Sequence, residues 1–456
     1  MNSFIKKIPT WLFAGILAAV TAGCDNHQGT STSAEGKSVG QGSPKTVVKM
    51  VGHWFNEGDR QKLLLEANND FEFLNQDIDV QMSFPEELYS YSDQAEIDFI
   101  MDQMQKPVAD WDIIRLKEYY NPIAAKLNDQ EWGKKYLVDF KDVPGFLESH
   151  GDFINDKATL SKTGGIIVGP YFEGQLWAVY VNTEVAKKMN IQVKQYGMTF
   201  DDFISYLEAA NRYNRSNPYI APIFEDQSWI TSEVIFKQLF YSQLDSYQKA
   251  LDTKVTEEKI QALRKCYQAL DRMAALDPII HSRKSIQWSR DNDYPLKDSS
   301  LFMINGTWMY NIWKQKGPEK MAKMIPCELP VFQKSDSYIG GYASNWAVLK
   351  NGPHAKEAVR LMMYWCTPRM AEKWVRYTKS PSGIKGSLGT TTFGTDPYEN
   401  FVYSIEQKYG EKQMPQSDNK YLIGENNFTG LRVIEVLERK LSGDQAFIEL
   451  VKTLRR

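Results

Sequence analysis

Short apolar strands and amphipathic helices alternate along most of this chain, and that alternation restricts it to open sheets covered by helices. Val47–Met50 reads as a short strand, Asp59–Asn75 has helical spacing, Ile78–Met82 alternates like a strand, Ala95–Met104 returns to helix, and Trp111–Ile114 is again a strand. Strand, helix, strand order predicts an α/β fold with mostly parallel sheets. In such sheets ligands bind in loops that leave the carboxyl ends of strands, which makes His53–Arg60 and Arg115–Tyr119 the first places to look. Further on, Gly165–Asn182 reads as two extended segments around a turn, with a helix from near Thr183. Helices are expected over Met198–Arg212, Ser232–Gln243 and Thr256–Leu276; Asp298–Trp313 is a strand that ends at Asn305-Gly306 and enters a helix. Gly340–Lys350 is strand-like and Ala355–Cys366 helical, and no period of 20 to 50 residues repeats.

The extreme N-terminus follows a different rule. Lys6 and Lys7 precede an apolar run from about Trp11 to Val20, then the small residues Thr21, Ala22 and Gly23, then Cys24. The run is shorter than the roughly 20 apolar residues that span a bilayer, and its order is that of a secretory signal. The cysteine directly after Ala-Gly resembles the lipobox of bacterial lipoproteins. That resemblance implies removal of residues 1–23, lipid on Cys24, and a place in the cell envelope facing the periplasm, in the inner membrane if Asp25 acts as a retention signal. From Asp25 to about Pro44 the chain is rich in Ser, Thr and Gly with no large apolar residue, so 24–45 is expected to be a flexible tether.

A body of 433 residues is too long for one core and suits two or three domains. With 54 basic and 57 acidic residues the net charge is −3, or about −5 once Lys6 and Lys7 leave, and no basic run suggests nucleic acid. Cys266, Cys327 and Cys366 remain after Cys24, an odd number that argues against a disulfide framework; buried small hydrophobes are the expectation, with one disulfide left open. The five histidines, His27, His53, His150, His281 and His354, lack metal-ligand spacing, and neither metal nor cofactor is called for. There is no Gly-x-Ser-x-Gly elbow and no phosphate-binding Gly-x-x-x-x-Gly-Lys.

Three stretches carry a wider resemblance: Gly-Pro-Tyr-Phe-Glu-Gly-Gln-Leu-Trp-Ala-Val-Tyr-Val-Asn from Gly169, Met-Ile-Asn-Gly-Thr-Trp from Met303, and the Gly340-Gly-Tyr strand with its Lys-Glu-Ala helix, ending at Lys379-Ser-Pro-Ser-Gly383. In this order, behind a lipoprotein signal, they resemble the extracellular solute-binding proteins of bacterial ABC importers, the family 1 group that includes maltose-binding protein. The resemblance implies a two-lobed clamshell, each lobe a mostly parallel sheet flanked by helices and discontinuous in sequence. Crossings would fall near Gly169–Glu173, Asp291–Asp298 and Tyr342–Lys350, giving 46–170 with 297–345 in one lobe and 171–296 with 350–456 in the other. It also implies a non-enzymatic, monomeric receptor that binds a small polar solute, a sugar or oligosaccharide, and delivers it to permease subunits. A ligand sensor for a membrane receptor and an envelope glycan hydrolase remain as alternatives.

A sugar offers an apolar CH face to an aromatic ring and a hydroxyl edge to polar groups, so aromatic walls with a few placed polar side chains are expected. By the resemblance, Trp308, Trp229 and Phe428 fall where the family puts stacking aromatics. Trp54 and Phe55 occupy the first strand-to-helix loop, where an aromatic facing solvent would need a ligand to cover it. Arg115 and Glu173 are placed beside the cleft by the same mapping and could hold hydroxyls. Tyr342 and Trp346 lie at a crossing, where they either touch ligand or pack the hinge.

Overall fold

The computed structural model describes residues 44–454 except 55–57, 86–87, 89–92, 117, 389–393, 417 and 425–429. Among the described residues ten strands form two sheets: β1 (Thr46–Val51), β2 (Ile78–Ser83), β3 (Ile113–Arg115), β4 (Glu173–Asn182), β5 (Ala221–Phe224), β6 (Ser300–Gly306), β7 (Met324–Cys327), β8 (Tyr338–Ala343), β9 (Trp346–Val348) and β10 (Gln413–Met414). The first sheet has the order β2-β1-β3-β9, and the second β10-β8-β4-β6-β5 with β7 also on β4.

In the first sheet the alternating elements do what their pattern predicts. β1 runs parallel to β2 and β3, with Thr46 opposite Ile78 and Met50 opposite Ile113. Helix Asp59–Leu74 makes the connection, burying Leu63, Leu64, Ala67 and Phe71 at helical spacing. Only β9 is antiparallel, placing Trp346 opposite Arg115.

The second sheet differs from the mostly parallel expectation. β4 is antiparallel to β6, β7 and β8, while β5–β6 and β8–β10 are parallel. From Leu176 to Asn182 every residue of β4 is buried, because β6 flanks one edge and β8 then β7 share the other. A strand buried on both faces reads as a continuous apolar run, which says nothing about its direction. Only Glu173–Asn182 of the expected pair of extended segments is a strand.

The division of the chain between the sheets also differs from the sequence-based one. Residues 297–345, expected with the first lobe, contribute β6, β7 and β8 to the second sheet. β6 is buried throughout and needs a neighbour on each side, found in β4 and β5, so Asp291–Asp298 is not a crossing. The strand-like stretch 340–350 splits between sheets at Ser344-Asn345, with β8 in the second and β9 in the first. Helices Ala355–Trp365 and Pro368–Thr378, assigned by sequence to the second lobe, pack on helix Asp59–Leu74 of the first. Polar contacts tie them there: Tyr377 Oη donates to Glu66 Oε2 at 3.0 Å, and Lys373 Nζ to Asp70 Oδ2 at 2.6 Å. The chain re-enters the second lobe through Lys379–Gly383, where Gly383 N donates to Tyr171 O at 3.0 Å.

An aromatic cluster fills the junction. Phe172 and Trp346 are fully buried and stacked at 5.6 Å and 16°, with Trp365 and Trp374 edge-on to Phe172 at 5.2 and 5.3 Å. The indole N–H of Trp346 donates to Val51 O at 3.0 Å, and that of Trp374 to Pro381 O at 2.8 Å, so the crossings at Ser344-Asn345 and at Lys379–Gly383 are each pinned by a buried tryptophan. Cys266, Cys327 and Cys366 are buried and free. Among the described residues no helix is long and apolar enough to cross a membrane.

Candidate functional site

β5 and β6 run parallel, with Phe224 beside Met303, so the loops that follow them leave the sheet side by side. Both carry a tryptophan. After β5, two carboxylates fold the chain back: Glu225 accepts from Thr231 N at 2.8 Å and Ser232 N at 2.9 Å, and Asp226 from Ser228 N at 2.8 Å and Trp229 N at 2.5 Å. Arg283 closes the loop from outside, donating to Asp226 O at 2.8 Å and Gln227 O at 3.1 Å while paired with Glu438 at 2.8 Å. After β6, Gly306 lies directly under the ring of Trp308, where a Cβ would overlap the indole. Residue 306 is glycine because the Trp308 indole occupies the space that any side chain there would need.

These indoles meet. Trp229 and Trp308 are nearly parallel, 18° apart with centroids at 5.9 Å. Trp177, on β4 opposite Gly306, forms a buried floor, edge-on to Trp308 at 5.2 Å and to Trp229 at 5.7 Å. Trp288 stands perpendicular to Trp229 at 5.1 Å. Trp229, Trp288 and Trp308 keep part of their surface in solvent, whereas Trp177 is 1 % exposed. The Trp177 indole N–H and the second oxygen of Asp226 are buried and have no hydrogen-bond partner among the described residues. An unpartnered donor on the floor and an unpartnered acceptor in the loop that carries Trp229 thus accompany three partly exposed indoles, a composition that suits a ligand with both CH and hydroxyl surfaces.

Burial pushes the Glu225 carboxyl up to about 7, against the pull of the bonds from Thr231 and Ser232. A folded-state value above the ordinary 4.5 means that the native protein keeps this proton after the unfolded chain has lost it. Stability should therefore fall as pH rises from about 4.5 to about 7 and level off above. Urea melts of wild type and Glu225→Gln across that window check this: the substitution should flatten the profile.

The other residues singled out by sequence lie elsewhere. Trp54 is 3 % exposed and does not face solvent: it packs on Trp346 at 5.4 Å and Trp374 at 5.2 Å, with a backbone φ of 61°. Trp346 is fully buried in the same cluster, packed on Trp54 and Phe172. Arg115 is 4 % exposed and forms a buried ion pair with Glu96, also donating to Leu88 O at 2.9 Å and meeting His53 Nδ1 at 3.1 Å. Glu173, at the start of β4, accepts from the side-chain amide of Asn345 at the crossing. Tyr342 donates to Glu406 Oε2 and accepts from Gln413, both at 2.9 Å, and lines a separate cavity of about 270 Å³ with Phe153, Ser382 and Glu411. Burial pushes the Glu406 carboxyl there up to about 8. Phe55, Phe428 and Cys24 lie outside the described residues. The sequence reading missed Trp177 and Trp288. Trp177 lay inside a quoted motif without being singled out there, and Trp288 sits in a four-residue helix, Trp288–Asp291, too short to give periodicity.

Two sheets joined by crossings, with aromatic faces gathered at the carboxyl ends of adjacent strands, define a two-lobed α/β ligand-binding protein. Residues 88–398 match the bacterial extracellular solute-binding proteins, and the chain belongs to that family. It is a receptor, not an enzyme. No curated protein matches the sequence. Among solved structures it is similar to the apo form of RafE from Streptococcus pneumoniae, at 15% identity and a TM-score of 0.63 over 90% of this chain and 97% of that one. It is similar also to the GacH receptor of Streptomyces glaucescens, at 13% identity and a TM-score of 0.62 over 91% and 98% of the two chains. A protein solved in work on xylan utilization by Caldanaerobius polysaccharolyticus gives 15% and 0.64 over 90% of this chain and all of that one.

Proposed function

We propose that this protein is a membrane-tethered receptor that binds a sugar or oligosaccharide between its lobes and delivers it to the permease of an ABC importer. The observation that carries the ligand class is the set of partly exposed indoles, Trp229, Trp288 and Trp308, beside orphaned polar groups at the carboxyl ends of β5 and β6. Solved proteins of the same shape that hold raffinose, stachyose or acarbose support the same class. The tether rests on Cys24 behind Ala22-Gly23 and on the Ser/Thr/Gly-rich stretch after it. Sugar that bridges the lobes binds the closed form better than the open one and shifts the balance toward it, and the closed form is what a permease can recognise. No covalent step is involved.

A thermal-shift screen of mono- and oligosaccharides, amino acids, polyamines and phosphate esters tests the ligand class. A saturating ligand at about 100 times its Kd stabilises the native state by about 2.7 kcal/mol, enough for a clear shift. Carbohydrates alone should give one; a shift confined to a non-sugar solute would sink the sugar reading. In cell fractions the wild type should sediment with membranes and Cys24→Ser should not.

A further inference from the structure

Trp288, like the buried floor Trp177, was not expected from the sequence, but unlike Trp177 it is partly exposed and its placement is specific. Trp229 and Trp308 cannot sandwich a sugar as they stand. A ring between them would need van der Waals spacing of about 3.5–4.0 Å on each face, about 7–8 Å in all, and their centroids are 5.9 Å apart. A sugar must therefore stack on an outer face, and a chain that continues along the group meets the next indole.

Trp288 is that neighbouring indole: it is partly exposed and stands at 89° to Trp229 with centroids 5.1 Å apart. Its position is fixed by bonds on both sides. Gln287 N donates to Asp291 Oδ2 at 2.9 Å, Arg290 Nη2 to Ser285 O at 2.7 Å, and the indole of Trp313 to Asn292 O at 2.8 Å. Gln227 N donates to Ile286 O at 3.3 Å, which joins this segment to the loop that carries Trp229. The wall and the platform thus form one preorganised unit, and a ligand need not order the wall when it binds.

Resting on the sugar-receptor reading, we infer that Trp288 is the end wall of an extended site: it contacts a second or later ring of an oligosaccharide whose neighbouring ring stacks on Trp229 and Trp308, and so sets a preference for chains over single sugars. A tryptophan that merely shielded Trp229 from water would affect stability without distinguishing ligands by length.

The test is calorimetric titration of the full chain, as wild type, Trp288→Ala and Trp288→Phe, with glucose, galactose, maltose, maltotriose, raffinose and stachyose. Trp288→Ala should weaken the best-bound oligosaccharide about tenfold, the scale of one aromatic contact. It should change the matching monosaccharide by less than about twofold on that scale, and Trp288→Phe, which keeps a ring and protects the fold, should restore most of the loss. Equal losses for single sugars and chains, or no loss for chains, would overturn the inference while leaving a sugar receptor in place. Failure of every sugar to bind the wild type would overturn the receptor reading, and the end wall with it.

Discussion

Trp308→Ala should weaken binding of the best sugar ligand by about 30-fold or more, the loss of about 2 kcal/mol that defines an aromatic hot spot. Two features make this indole the centre of the site. It meets both the floor, Trp177 at 5.2 Å, and the platform partner, Trp229 at 5.9 Å. It is also coupled to a crossing, because the preceding Thr307 accepts from Ser380 Oγ at 2.9 Å where the chain re-enters the second lobe. Part of the Trp308 ring is already in solvent, so the substitution should lower the melting temperature far less than a core truncation would. Calorimetric titration beside a thermal melt separates the two effects. Unchanged affinity would move the ligand away from the indole platform altogether.

Trp346→Ala should have the opposite signature, a loss of about 3–5 kcal/mol in folding stability, as for large aromatic truncations in cores. The side chain is fully buried, stacked on Phe172 and hydrogen-bonded to Val51 O, so its removal leaves a cavity and strips that carbonyl of a donor. Against the 5–15 kcal/mol that holds a typical native state, this is a large share. Urea unfolding measures it directly. Had Trp346 been a ligand residue, as one sequence-level expectation allowed, affinity would drop with the unfolding midpoint unchanged. That result would contradict the burial described here.

The fold class and most element positions were legible in the residues themselves. The spacing over Asp59–Asn75 and Ala355–Cys366 marks one apolar face on each helix, and that face is buried where expected. The order of the motifs from Gly169 to Gly383, behind the lipoprotein-like N-terminus, pointed to the extracellular solute-binding proteins, which the match over residues 88–398 bears out. Strand partners were not legible. β6 and β9 are both short apolar runs, yet one joins the second sheet and the other the first, because pairing is decided by which edges are free in three dimensions. Aromatic residues raised the same difficulty: Trp54 and Trp308 both follow strands, and composition cannot tell which ring finds a cavity to fill.

By itself, then, the sequence determined the alternation of elements, the family, and the presence of tryptophans in the loops after β5 and β6, since these depend on local periodicity and short motifs. Only the tertiary structure decided that Trp54 and Trp346 seal the junction, that Arg115 is occupied by Glu96, and that Trp177 and Trp288 join Trp229 and Trp308. Those outcomes depend on contacts between residues up to hundreds of positions apart. Burial and ring geometry are properties of the packed core, not of the local chain that enters it.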